Sequence, residues 1–406
     1  MAKKVSILPP HPLRPDYNRH FQRGNVHDLF QRRLEPQNYT REFFGDLAER
    51  LREELSRDPR NDALRYELAF VILQNRANMA AVSEAQSLLS KITTESVRRA
   101  ADVIRLRELV AGILKRRQEV TRQKYSVPRV NWSINNRCPM SCRGCYNPFA
   151  ETQIDFDQAQ MIVDKLARHG TSELVISGGD PLLWDPIYDT VDYARSVGLH
   201  VAVDTTGYTM TANSVARLRE SVSSLRLPLD GSTAEVQRAF RRSSDPDLVG
   251  RLQKSLFLCD ELDFHRVRVH TVASKQNLDD LPNVADAVFE HACVQQWVVF
   301  QWWGRRATRA LTEEMLTSAD AIENRLDRIR QSHPSREIIF AEASDREFLN
   351  FMIQSSGQVV TFASGLAEEF IVGNLLDDEM DEILASPILD FEAMGRGVSV
   401  RLNSQP

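Results

Sequence analysis

The stretch RVNWSINNRCPMSCRGCY, residues 129–146, joins a short alternating run to three of the chain's five cysteines. Val130, Trp132 and Ile134 alternate with polar neighbours, the period of a strand with one apolar face. Directly beyond it, Cys138, Cys142 and Cys145 stand four and three positions apart. Three thiols are too many for one disulfide and one short of the four-cysteine cage of a structural zinc or a closed iron–sulfur cluster. Thiolates suit soft metals, and a cubane of four irons has four corners. Three cysteines hold three corners and leave one iron open, as catalysis requires.

Downstream of residue 128 short β-rich runs alternate with amphipathic helices. Strands are predicted at 129–135, 173–178, 200–207, 224–230, 265–273 and 295–303, with helices at 155–169, 186–197, 211–221, 233–241, 246–260 and 278–292. Such alternation reads as a parallel sheet with crossover helices. The fold class is α/β: six such units without a Gly-rich dinucleotide turn suit a partial (β/α)6 TIM-like barrel at least as well as an open doubly wound sheet, and the cysteine loop falls at the C-terminal mouth where such barrels keep their active sites.

Upstream, residues 1–38 read as an extended arm and 39–125 as an all-helical domain. Its first helix opens at Thr40, lines Phe44, Leu47, Leu51 and Leu55 along one face and stops before Pro59. The next two helices resemble a single tetratricopeptide-type hairpin, and one long helix is expected from a capping-box-like Thr94. The barrel takes 126–303, and 304–406 form a small α+β extension. Residues 1–130 carry 25 Lys and Arg against 16 Asp and Glu, a balance of +9, while the remaining 26 against 40 leave −14. Solvated helix faces explain the basic excess better than a nucleic-acid surface, since no aromatic residues interleave it. No apolar run approaches a membrane span and no signal peptide is visible. Clustered cysteines argue for a reducing compartment, so a cytoplasmic protein is expected.

Four further motifs stand at strand ends: SGGDP (177–181), DTTG (204–207), LDG with AFRR (229–231 and 239–242), and TVASKQNLDDL (271–281). Together with Cys138-x3-Cys142-x2-Cys145 they resemble the radical S-adenosylmethionine (radical SAM) superfamily, in its molybdenum-cofactor and peptide-maturase branch. That resemblance implies one [4Fe-4S] cluster on the three cysteines, with S-adenosylmethionine on the open iron. It places Gly178, Gly179 and Asp180 at the methionine amine, Thr206 beside the cofactor, Asp230 near the ribose and Arg241 near the carboxylate. Gly144 stands where relatives have an aromatic residue, and Tyr146 just after is the expected cover for the adenine. The tail resembles the SPASM or Twitch extension of peptide maturases but holds no cysteine, so no auxiliary cluster is expected. Cys259 and Cys293 are read as buried small hydrophobes on helices.

The resemblance implies reductive cleavage of S-adenosylmethionine and abstraction of a substrate hydrogen atom. Redox-neutral outcomes are favoured by the single cluster, and a low-potential donor of flavodoxin or ferredoxin type is implied. The expected substrate is a small polar natural product, sugar or nucleotide-like molecule; a ribosomal peptide is the alternative. RNA modification and a non-catalytic cluster-bearing scaffold rank lower. His270, Tyr208, Trp302 and Trp303 are further residues to locate.

Overall fold

The computed structural model describes residues 41–75, 78–119, 127–143, 145, 147, 153–243, 245, 247–304, 311–344, 351–362 and 369–391. The proposed arm and Tyr146 lie outside them. Among the described residues five helices come first: α1 (Arg41–Arg57), α2 (Asp62–Asn75), α3 (Met79–Ser90), α4 (Glu95–Arg98) and α5 (Ala101–Glu119). Phe44, Leu47, Ala48 and Leu51 make the buried stripe of α1, at the three- and four-residue spacing of an amphipathic helix. The single long helix expected from Thr94 is broken. Both Thr93 and Thr94 give their backbone N–H groups to the Asp62 carboxylate, at 2.8 and 2.6 Å, and the chain turns again to bury Ala100 before α5. A carboxylate thirty-odd positions away thus holds the entry to α4, and where that helix stops the Ala100 N–H closes a turn onto the Val97 carbonyl at 3.1 Å.

The barrel proper contains β1 (Arg129–Asn135), α6 (Phe156–Arg168), β2 (Glu173–Gly178), α7 (Ile187–Ser196), β3 (His200–Asp204), α8 (Ala212–Ser221), β4 (Ser224–Pro228), α9 (Ala234–Phe240), α10 (Leu248–Glu261), β5 (Val267–Ala273), α11 (Leu281–Phe289) and β6 (Val294–Gln301). After α12 (Thr312–Met315) and α13 (Ala319–Ser332) comes β7 (Glu337–Ala341), then β8 (Met352–Ile353), β9 (Gln358–Phe362), β10 (Glu369–Asn374) and α14 (Met380–Leu384). One sheet runs in the order β10-β9-β8-β1-β2-β3-β4-β5-β6-β7. Strands β1 to β7 pair in chain order and all in parallel, the succession of a TIM-like barrel. The expected six parallel strands are therefore joined by a seventh from the tail. At the other edge β8 pairs parallel with β1, and β9 and β10 return antiparallel.

Register assigns the two faces. Trp132, Ile176, Val203, Leu225, Val269 and Trp297 are fully buried on the helix side. The opposite face, the lumen, carries Arg129, Asn131 and Ser133 of β1, then Glu173, Asp204, Arg226, Arg268 and His270 of the following strands. Helix α2 lies against β10, with the Phe70 ring edge-on to Phe370 at 5.9 Å. The helical region thereby shares a continuous apolar core with the sheet.

Candidate active site

The loop after β1 carries Cys138, Cys142 and Cys145 as half-buried thiols outside any disulfide. It is sewn to the end of α9: the N–H of Ser141 donates to the Arg242 carbonyl at 2.7 Å, and that of Arg143 to Phe240 at 2.9 Å. The Arg143 guanidinium grips both carboxylate oxygens of Glu314 beyond the barrel. Cys145 closes a turn onto the Cys142 carbonyl at 3.3 Å.

Behind this loop the end of β2 comes extremely close. The Gly179 N–H donates to Asn135 O and the Asp180 N–H to Arg137 O, both at 2.7 Å. The Asn135 side chain returns a bond to the Asp180 carbonyl at 2.6 Å. Gly178 has a φ of 142°, and a Cβ on Gly179 would stand 2.1 Å from the Arg137 carbonyl oxygen. Only glycine tolerates both the dihedral and the approach. The two glycines therefore clamp the segment that leads into the cysteines.

Asp180 turns its fully buried carboxylate inward. The Thr205 hydroxyl donates to it at 2.7 Å, the Thr206 hydroxyl to its other oxygen, and the Leu182 N–H at 3.1 Å. Burial raises its pKa, against the lowering effect of those hydroxyls. Sequence brings Asp180 and Thr206 to one place, but they satisfy each other.

Asp230, just past β4, is likewise buried and occupied. Its carboxylate accepts from the Val272 N–H at 2.6 Å and from the Arg241 guanidinium, and its own N–H is held by Gln237 at 2.7 Å. Burial pushes the Asp230 carboxyl up, with Arg241 opposing. Burial alone would lower the Arg241 pKa; the Asp230 carboxylate and the Cys142 and Cys138 thiols outweigh it, and the guanidinium ends above its ordinary value. Arg241 Nη1 lies 3.9 Å from Cys142 Sγ. Asp230, Arg241 and Cys142 thus form one chain from the barrel mouth to the cysteine loop.

Several residues of this site gave no signal in the sequence. Asn135 and Gln237 are described above; Asn277 donates to the Asp230 carbonyl at 2.7 Å and the Val272 carbonyl at 3.0 Å. Tyr208 is engaged with the protein itself: its hydroxyl donates to Asp245 at 2.9 Å, with Arg251 stacked on its ring and paired to the same carboxylate. His270 faces the lumen with the Phe300 ring edge-on at 5.1 Å. Trp302 is core, packed with Phe240, Leu311 and Met315; Trp303 is half-buried beside it in the chain. Cys259 is on α10, but Cys293 stands in the turn before β6 and not on a helix. Both are fully buried, and the Cys293 thiol is pushed up by its contact with Cys259 and by burial.

The donor set suits an iron–sulfur cluster: three soft thiols on one loop, none spent in a disulfide, beside a fixed cation. Among the described residues no three His, Cys, Asp or Glu side chains converge as they would on a single metal ion. A cubane takes one thiolate per iron, so its ligands stand farther apart.

The sequence model of the Radical SAM superfamily matches residues 132–288. That segment is a radical SAM domain. Its match starts within β1 and ends within α11, so it encloses the cysteine loop and all four strand-end motifs. The chain is 26% identical over 181 residues to an AdoMet-dependent heme synthase of Methanosarcina barkeri, covering 43% of this chain and 51% of that protein. It is also 26% identical over 160 residues to the mycofactocin maturase MftC of Mycolicibacterium smegmatis, covering 38% and 40%. The chain thus spans about half or less of the length of these curated relatives. Among solved structures, Streptococcus suis SuiB shares the fold with a TM-score of 0.53 at 13% identity, over 81% of this chain and 82% of that one. The radical SAM family uses a [4Fe-4S] cluster and S-adenosylmethionine. No helix among the described residues is long and apolar enough to cross a membrane.

Proposed function

We propose that this protein is a radical SAM enzyme with one [4Fe-4S] cluster, held by Cys138, Cys142 and Cys145. The observation that carries the reading is the clamp: Gly178 and Gly179 fix the approach to three thiols, none in a disulfide, inside the segment that matches the family. When bound, cluster and S-adenosylmethionine together supply a 5′-deoxyadenosyl radical that takes a hydrogen atom from substrate. The chain's own residues prepare that event. The backbone at Gly178 to Asp180 receives the methionine end, while the Asp180 carboxylate fixes Thr206. Asp230 aims Arg241 at the cysteine loop, where a cation meets the cofactor carboxylate. Tyr146 covers the adenine in this reading. Within these 406 residues no further cysteine group is available for a second cluster, so a redox-neutral conversion is favoured. A flavodoxin or ferredoxin supplies the electron, and the reduced thiols fit the cytoplasm.

The substrate is a polar molecule received in the charged lumen. A second reading, maturation of a ribosomal peptide, is favoured by a specific similarity: MftC is a maturase and SuiB has been crystallised with its precursor peptide SuiA. The test is anaerobic reconstitution followed by dithionite and S-adenosylmethionine. 5′-Deoxyadenosine should form and should vanish in Cys142→Ala. Equal formation by that variant, or none by the reconstituted parent, overturns the proposal.

A further inference from the structure

The lumen carries charges that the cofactor site leaves unused. Arg226, 4% exposed, reaches Glu173 at 3.0 Å and Asp204 at 3.3 Å, and Arg129 stands 3.6 Å from Glu173. Both carboxylates are therefore committed to Arg129 and Arg226. Arg268, the next lumen residue in register with Arg226, makes no hydrogen bond or ion pair among the described residues although it is half-buried. A guanidinium stays charged, and a partly desolvated one whose carboxylates, Glu173, Glu337 and Asp204, act only at longer range than an ion pair is incompletely compensated.

We propose that Arg268 anchors a carboxylate of the substrate. This rests on the radical SAM reading and names the class of molecule that reading left open. The geometry gives the carboxylate a definite distance from the chemistry. Arg268, His270 and Val272 follow one another up the inner face of β5, and the Val272 N–H is bonded to Asp230. Four residues of strand span about 13 Å. A substrate seated on Arg268 would extend past His270 and Phe300 towards the cofactor, with its reacting carbon at the far end from its acid group.

Electrostatics select the sort of anion. Arg268 is held below its ordinary value by burial and by the neighbouring Arg226 cation, with Glu173, Glu337 and Asp204 opposing. A guanidinium outside every ion pair of the described residues matches one planar carboxylate in the two-pronged geometry that arginine favours. A phosphate dianion would meet Glu173 and Asp204 as well, so it fits less well.

The test uses glutarate as the probe, with its uncharged diamide glutaramide as control, titrated calorimetrically into the anaerobic full-length protein. Glutarate should bind, glutaramide should not, and Arg268→Gln should weaken glutarate at least tenfold, with Arg268→Lys between. Arginine modification of the parent protein by phenylglyoxal, mapped by mass spectrometry, needs no variant to fold: Arg268 should react faster than Arg226, and glutarate should slow it. Inorganic phosphate is titrated alongside. A hexapeptide acid that outcompetes glutarate, while its C-terminal amide does not, would assign the carboxylate to a peptide; glutarate outcompeting it would assign a free acid. Either leaves Arg268 as the anchor. No glutarate binding, unchanged affinity in Arg268→Gln, an Arg268 that glutarate does not protect, or tighter binding of phosphate each overturns the proposal. The parent's 5′-deoxyadenosine assay is read separately, so its failure sinks the radical reading alone.

Discussion

Asp230 and Arg241 are the pair on which the site's arrangement depends, and a double-mutant cycle measures it. The Asp230 side chain is 0% exposed and that of Arg241 16%. Asp230→Ala leaves a buried guanidinium without its carboxylate and strands the Val272 N–H. Breaking a buried pair from one side costs about 3–5 kcal/mol, and the orphaned N–H adds about 1–3 kcal/mol. Arg241→Met leaves a buried carboxylate and should cost about 3–5 kcal/mol at neutral pH. The double variant removes both charges, so its loss should fall short of the sum by at least about 2 kcal/mol. The assay is urea unfolding of the four proteins, with unchanged urea dependence as the check that the unfolding transition is the same. Arg241→Met carries a further signature. Asp230 has a folded pKa above its unfolded value, so its contribution to stability is present below about pH 4 and is lost as pH rises through the folded pKa. Without Arg241 that loss deepens, and the variant should regain stability on mild acidification. Additivity within about 0.5 kcal/mol, or stability of Arg241→Met that is flat with pH, would refute the reasoning.

Asp62, 4% exposed, is lowered from 3.8 to about 2 because the Thr94 and Thr93 N–H groups and Arg65 outweigh the burial that opposes them. Its ionisation adds about 2 kcal/mol of stability above about pH 4, lost as pH falls through about 2; Asp62→Asn should show that loss at pH 7 in urea melts and converge with the parent in acid. Gly179→Ala drives a Cβ to 2.1 Å from the Arg137 carbonyl oxygen, which is backbone and cannot step aside, so the cysteine loop should shift and iron retention should fall at least severalfold. Iron retention equal to the parent would count against the clamp. Tyr208→Phe removes one hydrogen bond to Asp245 and should cost about 1 kcal/mol in thermal or urea unfolding, without the larger loss expected of a core residue.

The parallel strands were legible because each is a short β-rich run followed by an amphipathic helix. The seventh parallel strand, EIIFA at 337–341, was not read from the sequence, since nothing local distinguishes an edge of the barrel from a separate layer. Cys138, Cys142 and Cys145 and the two glycines could be read from spacing and resemblance. The directions of Asp180 and Asp230 could not. Both residue types suit a ligand contact or an internal bond, and what decides is the position of Thr205, Thr206 and Arg241 on other elements. The contact that holds the entry to α4 was hidden for the same reason, being made by Asp62 on α2. Arg268 reads as an ordinary strand residue until register shows that its neighbours' carboxylates are already taken.

The most direct test of the central claim is an iron and sulfide count on the anaerobically reconstituted protein, joined to electron paramagnetic resonance of its reduced form with and without S-adenosylmethionine. A single cubane with an open iron predicts about four irons per chain and a signal that changes on adding the cofactor. Both should be lost in Cys142→Ala. About eight irons, none, or a signal indifferent to S-adenosylmethionine would contradict it.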